Sequence, residues 1–366
     1  MNAVNQKLIL ELINFKNYDK ESIQNLFHEV TDIPELLGHL IYNRIAGVAY
    51  HVMCQSGAIN DVNPEIVVNL NSIYMANIIK NQEMEQELEE LADSFQNSGI
   101  IYALLKGSFI TPVLYEKGFR TSNDIDILVR QDQVEEITQL LRSMGYEQRK
   151  FTRKIGYEKA SRKDILLPRL NYGELLPFYR DIDKNIIKTS VIDVNISLDF
   201  QSKKKSELVN RFLSNTVEYE VNGKTLKTLD YVDFFLQLCA HLYKEATIYN
   251  WVARNKDTLL YKYIDFYVFI LRYGDLTFFD LLEQRINQYG MHKEVYYSLH
   301  NTMRLFPTLI CNNELKAMMN KLKINDDSFL TSVYWPAQNR HFVIEDDFIE
   351  WIFTTNKKEK LVETDA

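Results

Sequence analysis

The sequence predicts an α+β protein in which a small mixed β-sheet core stands between helical N- and C-terminal regions. Three observations carry this reading. Apolar residues recur at helical spacing through the first 99 residues and again from Asp230 onward. Between those regions, short apolar runs alternate with polar residues at the period of a strand. No internal repeat or low-complexity linker breaks that order. The predicted boundaries are 1–99 for the N-terminal helical region, 100–228 for the α/β core, 229–353 for the C-terminal helical domain and 354–366 for a flexible tail rich in Lys and Glu.

Taken in order, Leu8, Leu10, Leu12 and Ile13 suggest a first amphipathic helix, and Ile33-Pro34 to Val52 another. Asn63-Pro64 is a helix start, with Asn as N-cap and Pro in the first turn. The apolar pattern from Ile66 through Leu91 then runs on until Gly99. Its polar side carries Glu83, Glu85, Glu87, Glu89 and Glu90, which is read as a solvated face. In the core, Ile100 to Leu105 suits a buried strand, Lys106-Gly107-Ser108 a turn, and Phe109, Val113 and Leu114 a helix. Asp124 to Val129 gives a second strand, and about Asp132 to Met144 a helix stopped by Gly145. Phe151 to Tyr179, with Pro168 and Pro177, reads as strands and loops. Ser190 to Phe200 alternates Ile192, Val194, Ile196 and Leu198 with Asp193, Asn195, Ser197 and Asp199, as a strand with one polar face does. Asn222-Gly223 between two alternating runs is a hairpin signal. Helices are predicted over Asp230–Tyr249, Leu259–Leu271, Phe278–Ile286, Val295–Phe306 and Leu315–Leu322.

The chemistry concentrates between Leu104 and Val129. A strand that hands over to a helix at Lys106-Gly107-Ser108 collects backbone N–H groups that can hold a phosphate. In the next strand, the period of two puts Asp124 and Asp126 on one face and Ile125, Ile127 and Val129 on the other. Adjacent carboxylates repel unless a cation lies between them, and hard oxygen ligands suit Mg²⁺. Asp193, on a polar sheet face, is the expected third carboxylate, with Asp199 on the same face as its rival. Arg180-Asp181-Ile182-Asp183-Lys184 also contains an Asp-x-Asp. No Gly-Ser turn precedes it and no apolar run follows it, so it is read as a loop.

The string Leu105-Lys106-Gly107, Gly118-Phe119-Arg120 and Asp124-Ile125-Asp126-Ile127-Leu128-Val129 resembles a poorly characterised bacterial nucleotidyltransferase family of the DNA polymerase beta-like superfamily, and the close resemblance runs through Gly145-Tyr146. That resemblance implies Mg²⁺-dependent transfer of an NMP from a nucleoside triphosphate to an acceptor hydroxyl, releasing pyrophosphate; no residue reads the base, and ATP is the default donor only by its abundance. It implies two Mg²⁺ ions, with Asp124, Asp126 and Asp193 as metal ligands and catalytic acids. It further implies Lys106, Gly107, Ser108 and Arg120 as nucleotide-binding residues. Family members often carry a His two residues after the third acid, where this chain has Asn195. His241 and Lys244, with Tyr263-Ile264-Asp265 on the next helix, weakly resemble the family's histidine-then-aspartate arrangement, and Lys244 is expected to clamp the triphosphate.

Composition bounds the partners. At 366 residues with 46% hydrophobic and 25% charged content, the chain has the makeup of an ordinary globular protein with ample core. A net charge of −8 argues against a general nucleic-acid binder and favours a small-molecule, peptide or protein acceptor. Cys54, Cys239 and Cys311 are widely spaced and form neither a disulfide framework nor a zinc motif, so a reducing cytoplasm is expected. No signal sequence and no 18-residue apolar run is evident, so no membrane partner is expected. The rival reading is a catalytically silent nucleotide sensor, or a partner-neutralising module, of the same fold.

Overall fold

The N-terminal helices are α1 (Ala3–Ile13), α2 (Lys20–Glu29), α3 (Ile33–Tyr42), α4 (Ala46–Ser56) and α5 (Pro64–Phe95). They belong to a computed structural model that describes all residues except 31, 153–155, 166–173, 199–204, 323 and 365–366. The single helix predicted over Ile33–Val52 is thus two helices. Arg44 takes a left-handed φ of 57°, and the chain turns there while its apolar periodicity continues. Asn63 caps α5 as expected, its Oδ1 accepting the Glu65 N–H at 2.9 Å.

An eight-stranded mixed sheet follows, so the fold is α+β as predicted. Its strands are β1 (Tyr102–Leu105), β2 (Ile125–Val129), β3 (Glu147–Thr152), β4 (Gly156–Lys159), β5 (Phe178–Asp181), β6 (Thr189–Asn195), β7 (Thr216–Val221) and β8 (Lys224–Leu229). They lie in the order β4-β3-β5-β6-β2-β1-β8-β7. Helix α6 (Gly107–Leu114) links β1 to β2, and α7 (Val134–Ser143) links β2 to β3. The end of α5 and α7 pack on one sheet face, against Leu104, Ile125, Ile127, Val129, Ile192 and Val194. At the β7–β8 hairpin both turn residues have positive φ, 50° at Asn222 and 79° at Gly223, which is the turn that Asn-Gly favours. Strand β6 ends at Asn195, where a bridge to Glu174 takes over; of the strand expected over Ser190 to Phe200, residues 199–200 lie outside the described residues. Residues 162–165 are a helical turn; within the stretch Phe151 to Tyr179 expected as strands and loops, residues 153–155 and 166–173 lie outside the described residues.

Two expectations are overturned by burial and by strand pairing. The acidic side of α5 is not a solvated face: Glu83, Glu85 and Glu87 are buried. Glu83 accepts the N–H groups of Asn185 at 2.6 Å and Ile187 at 2.8 Å. Glu87 takes Arg180 at 2.9 Å and Lys184 at 2.7 Å. Burial pushes the Glu87 carboxyl up, but bonds from Lys184, Ser190 and Arg180 outweigh it and hold the group below its usual range. The Arg180–Lys184 stretch, read as a loop, begins inside interior strand β5, and the chain leaves the sheet only after Asp181. Asp181 binds Arg149 at 2.9 Å, which spends its charge on structure.

The chain divides into two compact units, one of residues 1–75, 118–120 and 238–366 and the other of 76–117 and 121–237. The predicted C-terminal helices are α9 (Tyr231–Thr247), α10 (Leu260–Tyr273), α11 (Leu276–Tyr289), α12 (His292–Leu305) and α13 (Asn313–Leu322); α8 (Lys205–Ser214) precedes them beside the hairpin. A second sheet was not foreseen: β9 (Ser332–Trp335) and β11 (Leu361–Thr364) flank β10 (Arg340–Ile344). The segment expected to be a flexible tail therefore supplies a strand. It also supplies Lys357, whose buried Nζ lies 2.9 Å from both oxygens of buried Asp257. Trp351 donates to the same carboxylate at 3.0 Å.

Removing one partner of such a pair leaves a buried charge uncompensated. Lys357→Met is expected to lower unfolding stability by about 3–5 kcal/mol, with Lys357→Met/Asp257→Leu regaining most of it. Urea unfolding of the single and double variants checks this.

Candidate active site

Strand register assembles the site. In the parallel pair β2–β6, Asp126 lies directly opposite Asp193, and in the antiparallel pair β1–β2 it lies opposite Leu105, the residue before Lys106. Ile125, Ile127, Ile192 and Val194 face the core, so period-two geometry turns Asp126 and Asp193 together to the other side. Asp124 stands one residue before β2, on the same side by that period.

The elbow is tight. Lys106 has φ 47°, an uncommon conformation for a residue with a side chain and one that recurs where function holds it. It caps α6, whose first-turn N–H groups at Gly107 and Ser108 have no acceptor within the helix. Ser108 is buried, and its Oγ accepts the Asp126 N–H at 3.2 Å, tying the elbow to the acid-bearing strand. Pro112 has no N–H for the Ser108 carbonyl four residues back, and the Tyr219 hydroxyl donates to that carbonyl at 3.0 Å instead.

Charge is crowded here. Lys106 Nζ lies 2.8 Å from Asp126 Oδ1, both side chains largely buried. Burial, then the charges of Asp126 and Asp124, push the Asp193 carboxyl up to about 8, while Lys106 opposes the rise. Asp193 Oδ1 is buried with no hydrogen-bond partner among the described residues. An orphaned carboxylate oxygen among neighbouring acids is an arrangement that a cation stabilises. The donor set is all oxygen, which suits a hard divalent ion. Among the described residues, however, no three His, Cys, Asp or Glu side chains already form a metal cage. The ammonium of Lys106 holds Asp126 instead.

The other expected site residues lie in the other unit. Arg120 is buried, with Nε and Nη2 on the two oxygens of Asp265 at 2.7 and 2.8 Å and its guanidinium 5.2 Å from the Tyr261 ring centre. Lys244 sits 6.0 Å from the Trp251 ring centre. His241 reaches Glu245 at 3.3 Å, and Glu245 also holds Lys262 at 2.7 Å. Asp199, the rival third acid, lies outside the described residues. Asn195, in the place of the family histidine, is buried and donates to the Asp193 carbonyl at 3.3 Å. Sequence reasoning missed Glu174, whose charge also raises the Asp193 carboxyl, and Tyr179, which shares the sheet face of Asp193. The Phe178–Asp181 alternation after Pro177 was the signal for the second. Cavity volume does not mark the site. A cleft of about 600 Å³ lies between the end of α5, the start of β1 and the hairpin, and is lined by Phe95, Tyr102 and Lys224 rather than by the acids.

The sign of the Asp193 shift gives a test. A carboxyl raised in the folded state contributes stability below its unfolded value, and that contribution is lost as pH rises towards about 8. In divalent-free buffer, Asp193→Asn is therefore expected to raise the melting temperature relative to the parent at pH 8–9, with little difference near pH 4. Thermal melts across that range decide it.

No helix among the described residues is long and apolar enough to cross a membrane. Neither a curated protein nor a solved structure matches the chain. A family model described as an uncharacterised nucleotidyltransferase matches residues 29–307, a span that takes in the elbow, both β2 aspartates and Asp193, and the chain belongs to that family.

Proposed function

We propose that this protein is a Mg²⁺-dependent nucleotidyltransferase that moves an NMP, by default AMP, from a nucleoside triphosphate to a hydroxyl of a small molecule, peptide or protein. The observation that carries the proposal is the pairing of Asp126 with Asp193 across β2 and β6, next to the strand-to-helix elbow. Asp124, Asp126 and Asp193 would hold the metal. Bound there, Mg²⁺ supplies charge neutralisation on the phosphates and a lowered pKa for the acceptor hydroxyl. The backbone of Gly107 and Ser108 offers N–H groups to the β- and γ-phosphates.

In the reaction, the acceptor oxygen forms a bond to the α-phosphorus as the bond to the bridging oxygen of the β-phosphate breaks. Pyrophosphate leaves with that electron pair. The hydroxyl proton passes to a carboxylate, for which Asp193 is assigned. Lys106, on Asp126, offsets part of the negative charge of the acid cluster. Arg120 is paired with Asp265 within its own unit. The acidic chain favours an acceptor other than nucleic acid, and its three widely spaced cysteines favour a reducing cytoplasm.

Asp124→Asn and Asp126→Asn are each expected to abolish nearly all pyrophosphate release while keeping the parent circular dichroism spectrum. Full turnover in either variant removes the metal assignment. A thermal-shift screen of four triphosphates with and without Mg²⁺ separates the rival sensor reading. Stabilisation without pyrophosphate release, over a broad acceptor panel, favours a silent sensor.

A further inference from the structure

The sheet face that carries the acids continues away from the elbow as a row of aromatic rings. Tyr179 on β5 lies opposite Val191 on β6, so it shares the face of Asp193 two residues on. The next pairing sets Glu147 of β3 opposite Tyr179, and the period of two carries Arg149 and Phe151 onto the same face. Phe151 in turn lies opposite Tyr157 of edge strand β4. The rings touch in series: Phe151 and Tyr157 meet edge-on with centres 5.3 Å apart, and Tyr157 and Tyr179 are tilted with centres 4.8 Å apart. Phe151 is 64% exposed and Tyr157 55%, an unusual placement for neighbouring large rings on a folded sheet. At the near end, Tyr179 stands on the strand next to the one that carries Asp193 and on the same sheet face, so the ring row begins one strand from the acids. Arg149 lies beside the rings with its guanidinium taken by Glu147 and Asp181.

The order of strands says which reactant this row meets. The elbow is on β1, the paired acids on β2 and β6, and the rings on β5, β3 and β4 beyond them. In-line displacement puts the attacking oxygen opposite the leaving group. With pyrophosphate held at the elbow, the acceptor approaches from the β5 side. Resting on the proposed nucleotidyl transfer, we infer that Phe151, Tyr157 and Tyr179 form a stacking platform for the acceptor, and that the acceptor is a small molecule with a planar aromatic ring near its reactive hydroxyl. Aromatic faces bind planar rings with little regard to ring identity, so the platform selects a class of acceptor while the acids select the hydroxyl.

The test uses binding, so that it stands apart from turnover. Saturation-transfer NMR is run on the full chain with 4-hydroxybenzyl alcohol and pyridoxine as ring-bearing probes and sorbitol as a ring-free polyol. The expected result is transfer to the ring protons and none to sorbitol, with binding weakened roughly tenfold in Phe151→Ala/Tyr157→Ala and unchanged in Asp126→Asn. Both substituted rings are exposed, so the double variant is expected to melt with the parent. Equal signals in parent and double variant overturn the platform. Loss of the ring signal on adding Mg²⁺ with a non-hydrolysable ATP analogue assigns the rings to the donor base and overturns the acceptor reading. A dimer that dissociates in the double variant assigns them to a second copy and also overturns it. If Asp126→Asn retains full turnover while ring binding persists, the reaction assignment fails and the ring site stands.

Discussion

Everything in the site depends on the register between β2 and β6. A parallel pairing that sets Asp126 beside Asp193 forces two acids to within about one strand spacing, roughly 4.8 Å. The register is held by what lies on the reverse side. Ile125, Ile127, Ile192 and Val194 must all face the helices, and a slip of one residue would turn them outward and bury the acids. The hydrophobic core thus enforces a charge arrangement that electrostatics alone would push apart. The Lys106 ammonium lies on Asp126, and burial together with the neighbouring acids raises the Asp193 carboxyl.

A second layer of acids supports that register from behind. Glu83 and Glu87 of α5 are acceptors, gathering Arg180 of β5 and, from the segment that joins β5 to β6, Lys184 and backbone N–H groups. Charge buried this way is stabilising only when each oxygen finds a donor. Here donors come from Arg180 on β5 and from the loop that follows it, so the end of β5 and the loop leading to β6 are held together. The same helix therefore anchors the apolar face through its leucines and the β5–β6 connection through its glutamates. The ring row on β5, β3 and β4 inherits its alignment from this connection.

The elbow shows a similar economy of parts. Ser108 holds the backbone of Asp126, Pro112 frees a carbonyl that Tyr219 takes, and the strained turn at Lys106 aims the ammonium at Asp126. Each contact joins a residue of the turn to a strand of the sheet. The turn therefore cannot relax without disturbing the acids.

Much of this was legible in the chain. The elbow, the alternation of β2 and β6, the cap at Asn63 and the Asn222-Gly223 hairpin are local patterns. Each depends on residues within a few positions of one another, where backbone preferences and periodicity decide. What the sequence concealed lies between distant residues. Nothing within α5 tells whether its glutamates meet water or the loop at 185–187, because that depends on which segment folds over it. The break at Arg44 hides behind an unbroken apolar period, and the charged C-terminus conceals a strand and a buried lysine whose partner lies 100 residues away. Arg120 stands four residues from Asp124, yet its guanidinium goes to Asp265. Sequence by itself determined the α+β class, the elbow and the face on which the acids stand, since these follow from spacing along one strand or one turn. Only tertiary structure decided which charges pair and which rings line up beside the acids, since partners for buried charges are chosen across the fold.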